Sequence, residues 1–245
     1  MDWVFLSPHY DDAIFSCGGL IWRETRAGSR VEILTIFGGN PPTGSLFPYA
    51  AGLHRRWGEG LEAADGRRSE DAAACGLVGA AQRWLDIPDC IYRAHPLTGA
   101  ALVSSDEELF RPDPPLESAV LASISSALAA LPADAHLVCP LAVGGHIDHR
   151  LARRAAEGLG RPLWYFGDFP YTAREDVNPE DWLPADARPE PFQLHETDVE
   201  RWAAAAACYH SQVSTFWNSS QELEVAIANY YDINLFSRTL WVRRK

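Results

Sequence analysis

Short runs of β-branched and aromatic residues alternate along this chain with longer stretches in which apolar positions recur every three or four residues. Asp2 to Leu6 and Val31 to Phe37 read as buried strands bounded by Ser-Pro and Gly-Gly, and Gly18 to Ala27 between them reads as a helix that stops at Gly28. That β-α-β unit predicts a parallel strand pair. Further strands are predicted at Arg83 to Ile87, His136 to Pro140 and Leu163 to Phe166. Helices are predicted over Gly60 to Leu77, Leu116 to Leu131, Ile147 to Gly158 and Asp198 to Tyr209. The order predicts an α/β fold, a doubly wound and mostly parallel sheet with helices on both faces, whose site lies at the carboxyl ends of the strands. Two stretches, His95 to Pro115 and Phe169 to His195, are rich in Pro, Asp and Glu and keep no period. They read as long surface loops, either walls of a substrate site or solvated insertions. One domain over residues 1–245 is expected.

Composition narrows the function. With 245 residues and 47% hydrophobic content the chain can bury a substantial core. No apolar run reaches the ~18 residues of a membrane span. The start M-D-W-V-F-L-S-P has no basic leader, so a cytoplasmic protein is expected. The five cysteines, Cys17, Cys75, Cys90, Cys139 and Cys208, are scattered and never spaced C-x-x-C, which argues for reduced thiols. A net charge of -12 argues against a nucleic-acid partner and favours a neutral or cationic small molecule. The sole lysine is Lys245, so Schiff-base chemistry and a phosphate-loop lysine are excluded from the body of the fold. No G-x-G-x-x-G follows the first strand, which argues against a dinucleotide site.

The chemistry concentrates in two places. S-P-H-Y-D-D follows the first strand, and G-G-H-I-D-H, Gly144 to His149, follows the strand at His136 to Pro140. In a parallel sheet both clusters reach the same edge and can converge. His9, Asp12 and His149 then offer two imidazoles and a carboxylate, a set that suits zinc and leaves room for water. Asp11 is left to take a proton from a water activated by the metal. His146 is placed to donate to an oxyanion and leaving group, with Asp148 holding its charge and tautomer. This constellation suits metal-assisted amide hydrolysis. The bland reading makes Asp12 or Ser16 a helix cap and Asp148 a first-turn dipole partner. An iron(II) oxygenase triad has the same ligand types but normally sits on an antiparallel barrel. A non-catalytic metal- or carbohydrate-binding protein is a third reading, against which Asp11 and His146 argue.

H-x-D-D near the start and H-x-D-H much later resemble the LmbE-like, or PIG-L-like, zinc-dependent N-deacetylases. The resemblance extends to Gly52 to Gly58, Arg67 to Gly79, Leu85 to Arg93, F-P-Y at Phe169 to Tyr171 and Y-H-S-Q at Tyr209 to Gln212. It implies a Rossmann-like fold, one Zn2+ per chain and removal of an N-acetyl or similar acyl group from an amino sugar or glycoconjugate. By matching positions it implies His9, Asp12 and His149 as zinc ligands, Asp11 as general base and His146 as the oxyanion partner. Arg67 matches an arginine that lines the substrate pocket, although a structural pair with Glu70 would also account for it. Tyr10 and Ala13 depart from the proline and glutamate commonest at those positions. Among the aromatics, Tyr171 and Trp217 lie in loop-like surroundings and are the pocket candidates.

Overall fold

A computed structural model describes residues 2–57, 63–115 and 117–244. Strand β1 (Asp2–Ser7) leads into helix α1 (Asp12–Arg26) and β2 (Arg30–Thr35). Helices α2 (Pro48–Arg56) and α3 (Ala63–Val78) precede β3 (Ala81–Trp84), and α4 (Ser118–Ala129) precedes β4 (His136–Pro140). Then follow α5 (Ile147–Gly158), β5 (Leu163–Phe166), β6 (Arg188–Pro191), α6 (Glu196–Ala206), α7 (His210–Phe216), α8 (Ser220–Ile233) and β7 (Thr239–Arg243). The described strands form one sheet in the order β3-β2-β1-β4-β5-β7-β6. The five from β3 to β5 run parallel, and β7 and β6 close that side as an antiparallel pair.

This is the doubly wound α/β arrangement. Helices α1, α3 and α6 pack on one another and α4 packs on α5, and the right-handed rule for parallel crossovers puts the two groups on opposite faces. The strand order reverses between β1 and β4, which opens a crevice at their carboxyl ends. Both motif segments leave the sheet there. An antiparallel barrel, the usual seat of an iron(II) oxygenase triad, is not what these strands build. No described helix is long and apolar enough to cross a membrane.

Several boundaries differ from the sequence reading for identifiable reasons. Helix α1 begins at Asp12, not at Gly18, because Ser7 Oγ accepts the Ala13 N–H at 3.0 Å and starts the helix directly after a four-residue turn. Gly18 and Gly19 are interior positions of α1, and their missing side chains make room for Trp202 of α6. A Cβ at Gly18 would collide with Trp202 Cδ1. The strand predicted over Arg83 to Ile87 is Ala81–Trp84 instead, and its last residues leave the sheet to pack on Gly39. There the Gly39 N–H donates to Ile87 O at 2.9 Å, so close that a Cβ at Gly39 would lie 2.6 Å from the Ile87 carbonyl carbon. The helix predicted from Gly60 and the one from Leu116 start on residues outside those described. The two period-free stretches hold 3-10 turns at Glu107–Phe110, Tyr171–Ala173 and Pro179–Trp182, and the second also holds β6.

Candidate metal and active site

Each functional side chain is aimed by the turn that carries it. After β1, the His9 N–H donates to Asp12 Oδ2 at 2.7 Å, which folds the His-Tyr-Asp-Asp turn back on the start of α1. Tyr209 fixes the middle of the turn by donating to Tyr10 O at 3.0 Å. After β4 the chain reverses through Gly144 and Gly145, both with positive φ of 86° and 80°, so that His146 caps α5 and His149 sits in its first turn. The two turns thereby face each other across the crevice.

His9 Nδ1 stands 3.3 Å from Asp12 Oδ2, and His149 Nε2 stands 3.3 Å from the same oxygen. Donors around a tetrahedral zinc with bonds of about 2.0–2.1 Å are themselves about 3.3 Å apart. The opposite nitrogen of each ring is already used. His9 Nε2 donates to Asp148 Oδ2 at 3.2 Å, and His149 Nδ1 donates to Asp168 Oδ1 at 2.7 Å. With the outer nitrogen of each ring held by a carboxylate, the nitrogen that faces Asp12 is the one a metal would take in place of its proton. The surrounding carboxylates favour positive charge here. Burial alone would lower the His9 pKa, yet Asp89, Asp12 and Asp148 drive it well above the ordinary value. His149 is likewise raised to about 9, with Asp12 and Asp168 outweighing burial. Asp12 is held well below the usual carboxylate range, because the two imidazoles overcome the cost of burying it.

A third imidazole is close. Nitrogen atoms of His9, His146 and His149 lie within 4.8 Å of one another, and all three rings line the cleft. Two other donor groups, Cys90 with His146 and Asp148, and His9 with Asp89 and Asp148, also lie within 4.8 Å. Both depend on Asp148, whose Oδ1 already accepts from Arg93 at 2.6 Å, and a guanidinium so placed opposes a dication. The His9–Asp12–His149 junction suits a cation better.

His146 is different in kind. Burial and the neighbouring His9 and His149 push its pKa well down, so the ring is neutral. Its Nδ1 accepts the Asp148 N–H at 3.3 Å, leaving Nε2 as the N–H donor. Asp148 therefore sets the His146 tautomer through its backbone; its carboxylate serves His9, the Cys90 N–H at 3.0 Å and Arg93. The sequence points that carboxylate at His146, and the structure gives it these other partners instead.

Asp11 Oδ1 accepts from Arg67 Nη2 at 3.1 Å. Burial and the Asp12 charge push its pKa up to about 6, against the pull of Arg67 and His9. Such a carboxyl is ionised at neutral pH and basic enough to accept a proton. Arg67 itself lies between the rings of Tyr10 and Trp57, 5.1 and 5.0 Å from their centroids, and lines the cleft. A pair with Glu70 is not formed. Glu70 accepts from the Ser211 N–H and hydroxyl instead.

The cleft over these residues holds about 360 Å³, and both period-free stretches help wall it, through Asp106, Leu109 and Phe110 and through Phe169, Pro170, Tyr171 and Arg174. Tyr171 lines the cleft, its ring 6.2 Å from that of His149. Trp217 does not. It stacks on Phe169 and meets Phe15 edge-on, behind the cleft wall. Three buried site residues escaped the sequence reading: Asp89, Arg93 and Asp168. Asp168 carried the clearest signal, a carboxylate just past the end of a parallel strand, at the same edge as both motifs.

Comparison with known proteins places the chain in a family. A 2'-N-acetylparomamine deacetylase from Niallia circulans is 31% identical over 241 residues, 91% of this chain and 84% of that protein. A protein of the same description from Streptomyces fradiae is 32% identical over 181 residues; the match takes in 71% of this chain but spans only 59% of the length of that relative. Among solved structures, the zinc-inhibited form of the teicoplanin deacetylase Orf2 superposes with a TM-score of 0.82 at 24% identity, covering 100% of this chain and 99% of that one, a likeness of fold. The profile of the PIG-L family, GlcNAc-PI de-N-acetylase, matches residues 4–159, a span that includes every motif residue from His9 to His149 but stops before Asp168. The chain belongs to the PIG-L family of de-N-acetylases.

Proposed function

We propose that this protein is a zinc-dependent N-deacetylase that hydrolyses the acetamide of an N-acetylated amino sugar, free or within a glycoconjugate. The observation that carries the reading is the shared approach of His9 Nδ1 and His149 Nε2 to Asp12 Oδ2 at 3.3 Å, each ring tied behind by a buried carboxylate. His9, Asp12 and His149 would hold the ion. When bound there, zinc supplies Lewis acidity that makes water a nucleophile near neutral pH. Asp11 accepts the water proton as the oxygen bonds to the amide carbon, and returns it to nitrogen as the carbon–nitrogen bond breaks, releasing acetate and a free amine. His146, neutral with its N–H at Nε2, donates to the carbonyl oxygen as that atom takes on negative charge. Arg67 orients Asp11, and Arg67 and Tyr171 contact the substrate.

The cleft volume lies in the small-molecule range, and Trp57, Phe110 and Tyr171 offer flat apolar surfaces for a sugar. A net charge of -12 favours a cationic scaffold such as an aminoglycoside, the kind of compound that the names of the two deacetylase relatives specify. The test is acetate release by the zinc-loaded protein from N-acetylglucosamine, 2'-N-acetylparomamine and an N-acetylated glycopeptide. Acetate matched by new primary amine is expected, fastest from the cationic pseudodisaccharide. No release from any of the three would overturn the reading.

Asp168→Asn tests the support behind His149. The amide keeps the shape but removes the charge that fixes the ring, and partners of this kind typically contribute about 10- to 100-fold in metal affinity. Zinc affinity measured by chelator competition is expected to fall by that order.

A further inference from the structure

The two carboxylates behind the imidazoles are held in unlike ways. Asp168 Oδ2 accepts one backbone N–H, that of Val143 at 3.0 Å. Asp148, with no exposed surface, is clamped by a second buried side chain that belongs to neither motif. Arg93 Nη2 donates to Asp148 Oδ1 at 2.6 Å and to Glu117 Oε2 at 2.9 Å, Nε donates to Glu117 Oε1 at 2.7 Å, and Nη1 donates to Pro88 O at 3.0 Å. Its guanidinium lies over the Phe37 ring, 4.9 Å from the centroid, two residues past the end of β2. The second Asp148 oxygen is thereby left for the Cys90 N–H at 3.0 Å and for His9 Nε2 at 3.2 Å.

From this chain of contacts we infer that Arg93, locked by Glu117, is a positioning residue for the metal site: it fixes the Asp148 rotamer that orients His9. The inference rests on the zinc reading proposed above. Every hydrogen of the guanidinium edge facing the site has a use. Nη2 gives one hydrogen to each carboxylate, so the position of Asp148 depends on that of Glu117, the residue that precedes α4. An ammonium group cannot reproduce this. Lysine has three donors radiating from one atom, whereas the four contacts of Arg93 issue from three nitrogens in a fixed plane. The clamp joins the segment after β3, the start of α4, the first turn of α5 and the turn after β1. It therefore conveys the packing of the outer helix layer to one imidazole and leaves the other, on Asp168, independent of it.

The rival account is a buried ion pair that stabilises the fold and has no bearing on the metal. The two separate in a measurement of zinc affinity on folded protein. Wild type, Arg93→Lys and the isosteric Glu117→Gln are freed of metal, their melting temperatures recorded, and their zinc affinities measured by competition with a chromophoric chelator; Co2+ spectra are taken beside them. Arg93→Lys is expected to bind zinc about tenfold or more weakly. Glu117→Gln is expected to shift in the same direction by a smaller factor, with an altered Co2+ spectrum in both. A fall in metal-free melting temperature with zinc affinity at the wild-type value, in either variant, overturns the inference and leaves the zinc reading intact. A wild-type protein that binds no zinc overturns both.

Discussion

Asp11→Asn is expected to keep one zinc per chain and to lose roughly 10²- to 10⁴-fold in kcat, the usual contribution of a positioned general base. The substitution isolates the role because an asparagine oxygen still accepts the Arg67 Nη2 hydrogen bond, now 3.1 Å to Asp11 Oδ1. What is lost is the basicity and the charge that pairs with Arg67. Asp11 is also not the residue whose oxygen meets the two imidazoles; that is Asp12. Zinc content should therefore stay level while turnover collapses, with KM close to wild type. Metal analysis and steady-state acetate release on the same preparation decide it. Wild-type kcat in the variant would remove Asp11 from the proton path, and loss of zinc would mean that the division of labour between the two adjacent carboxylates is wrong.

Two kinds of information separate in this chain. His9, Asp11, Asp12, His146 and His149 were legible because each pair sits directly after a strand that announces itself by a β-branched run. A β-α-β unit dictates which sheet edge those residues reach. Trp202, by contrast, explains why Gly18 and Gly19 lie inside α1, and nothing local to the glycines says so: the partner is about 180 residues away in sequence. The same holds for Asp168, Asp89 and Arg93. Each is a single polar residue in a Pro-rich or irregular segment, and its function appears only when β5 and β3 are placed beside β1 and β4. The helices and the strand after Tyr209 are not predicted for another reason. Helix α8 turns exposed Val225 and a highly exposed Ile233 to solvent, so its apolar positions do not form a clean stripe, and β7 enters the sheet antiparallel, outside the repeating pattern. The two period-free stretches both hold 3-10 turns, the second also holds the edge strand β6, which no period announces, and residues of both wall the cleft.

His149→Ala and His146→Ala should give opposite metal results, although both rings lie in one cleft and three residues apart. The ring centroids of His9, His146 and His149 form a triangle with sides of 5.0, 5.0 and 5.4 Å, so proximity alone does not choose two ligands from three. Hydrogen bonding does. His149 directs Nε2 at Asp12 because Asp168 holds its Nδ1–H, whereas His146 has its Nδ1 occupied by the Asp148 N–H and carries a hydrogen on the nitrogen that remains. A nitrogen bearing hydrogen is a donor to oxygen, not a ligand to zinc. His149→Ala is thus expected to drop from one zinc per chain to almost none after dialysis, and to lose activity with it. It also strands the Asp168 carboxylate with one backbone partner, at a cost of about 1–3 kcal/mol in stability. His146→Ala is expected to retain the zinc and lose about 10²- to 10³-fold in kcat, the loss typical of a removed oxyanion donor. Elemental analysis of the two variants beside wild type reads the assignment directly. If His146→Ala also loses the ion while Asp12→Ala keeps it, the three imidazoles form the ligand set, and Asp12 becomes the carboxylate that organises them.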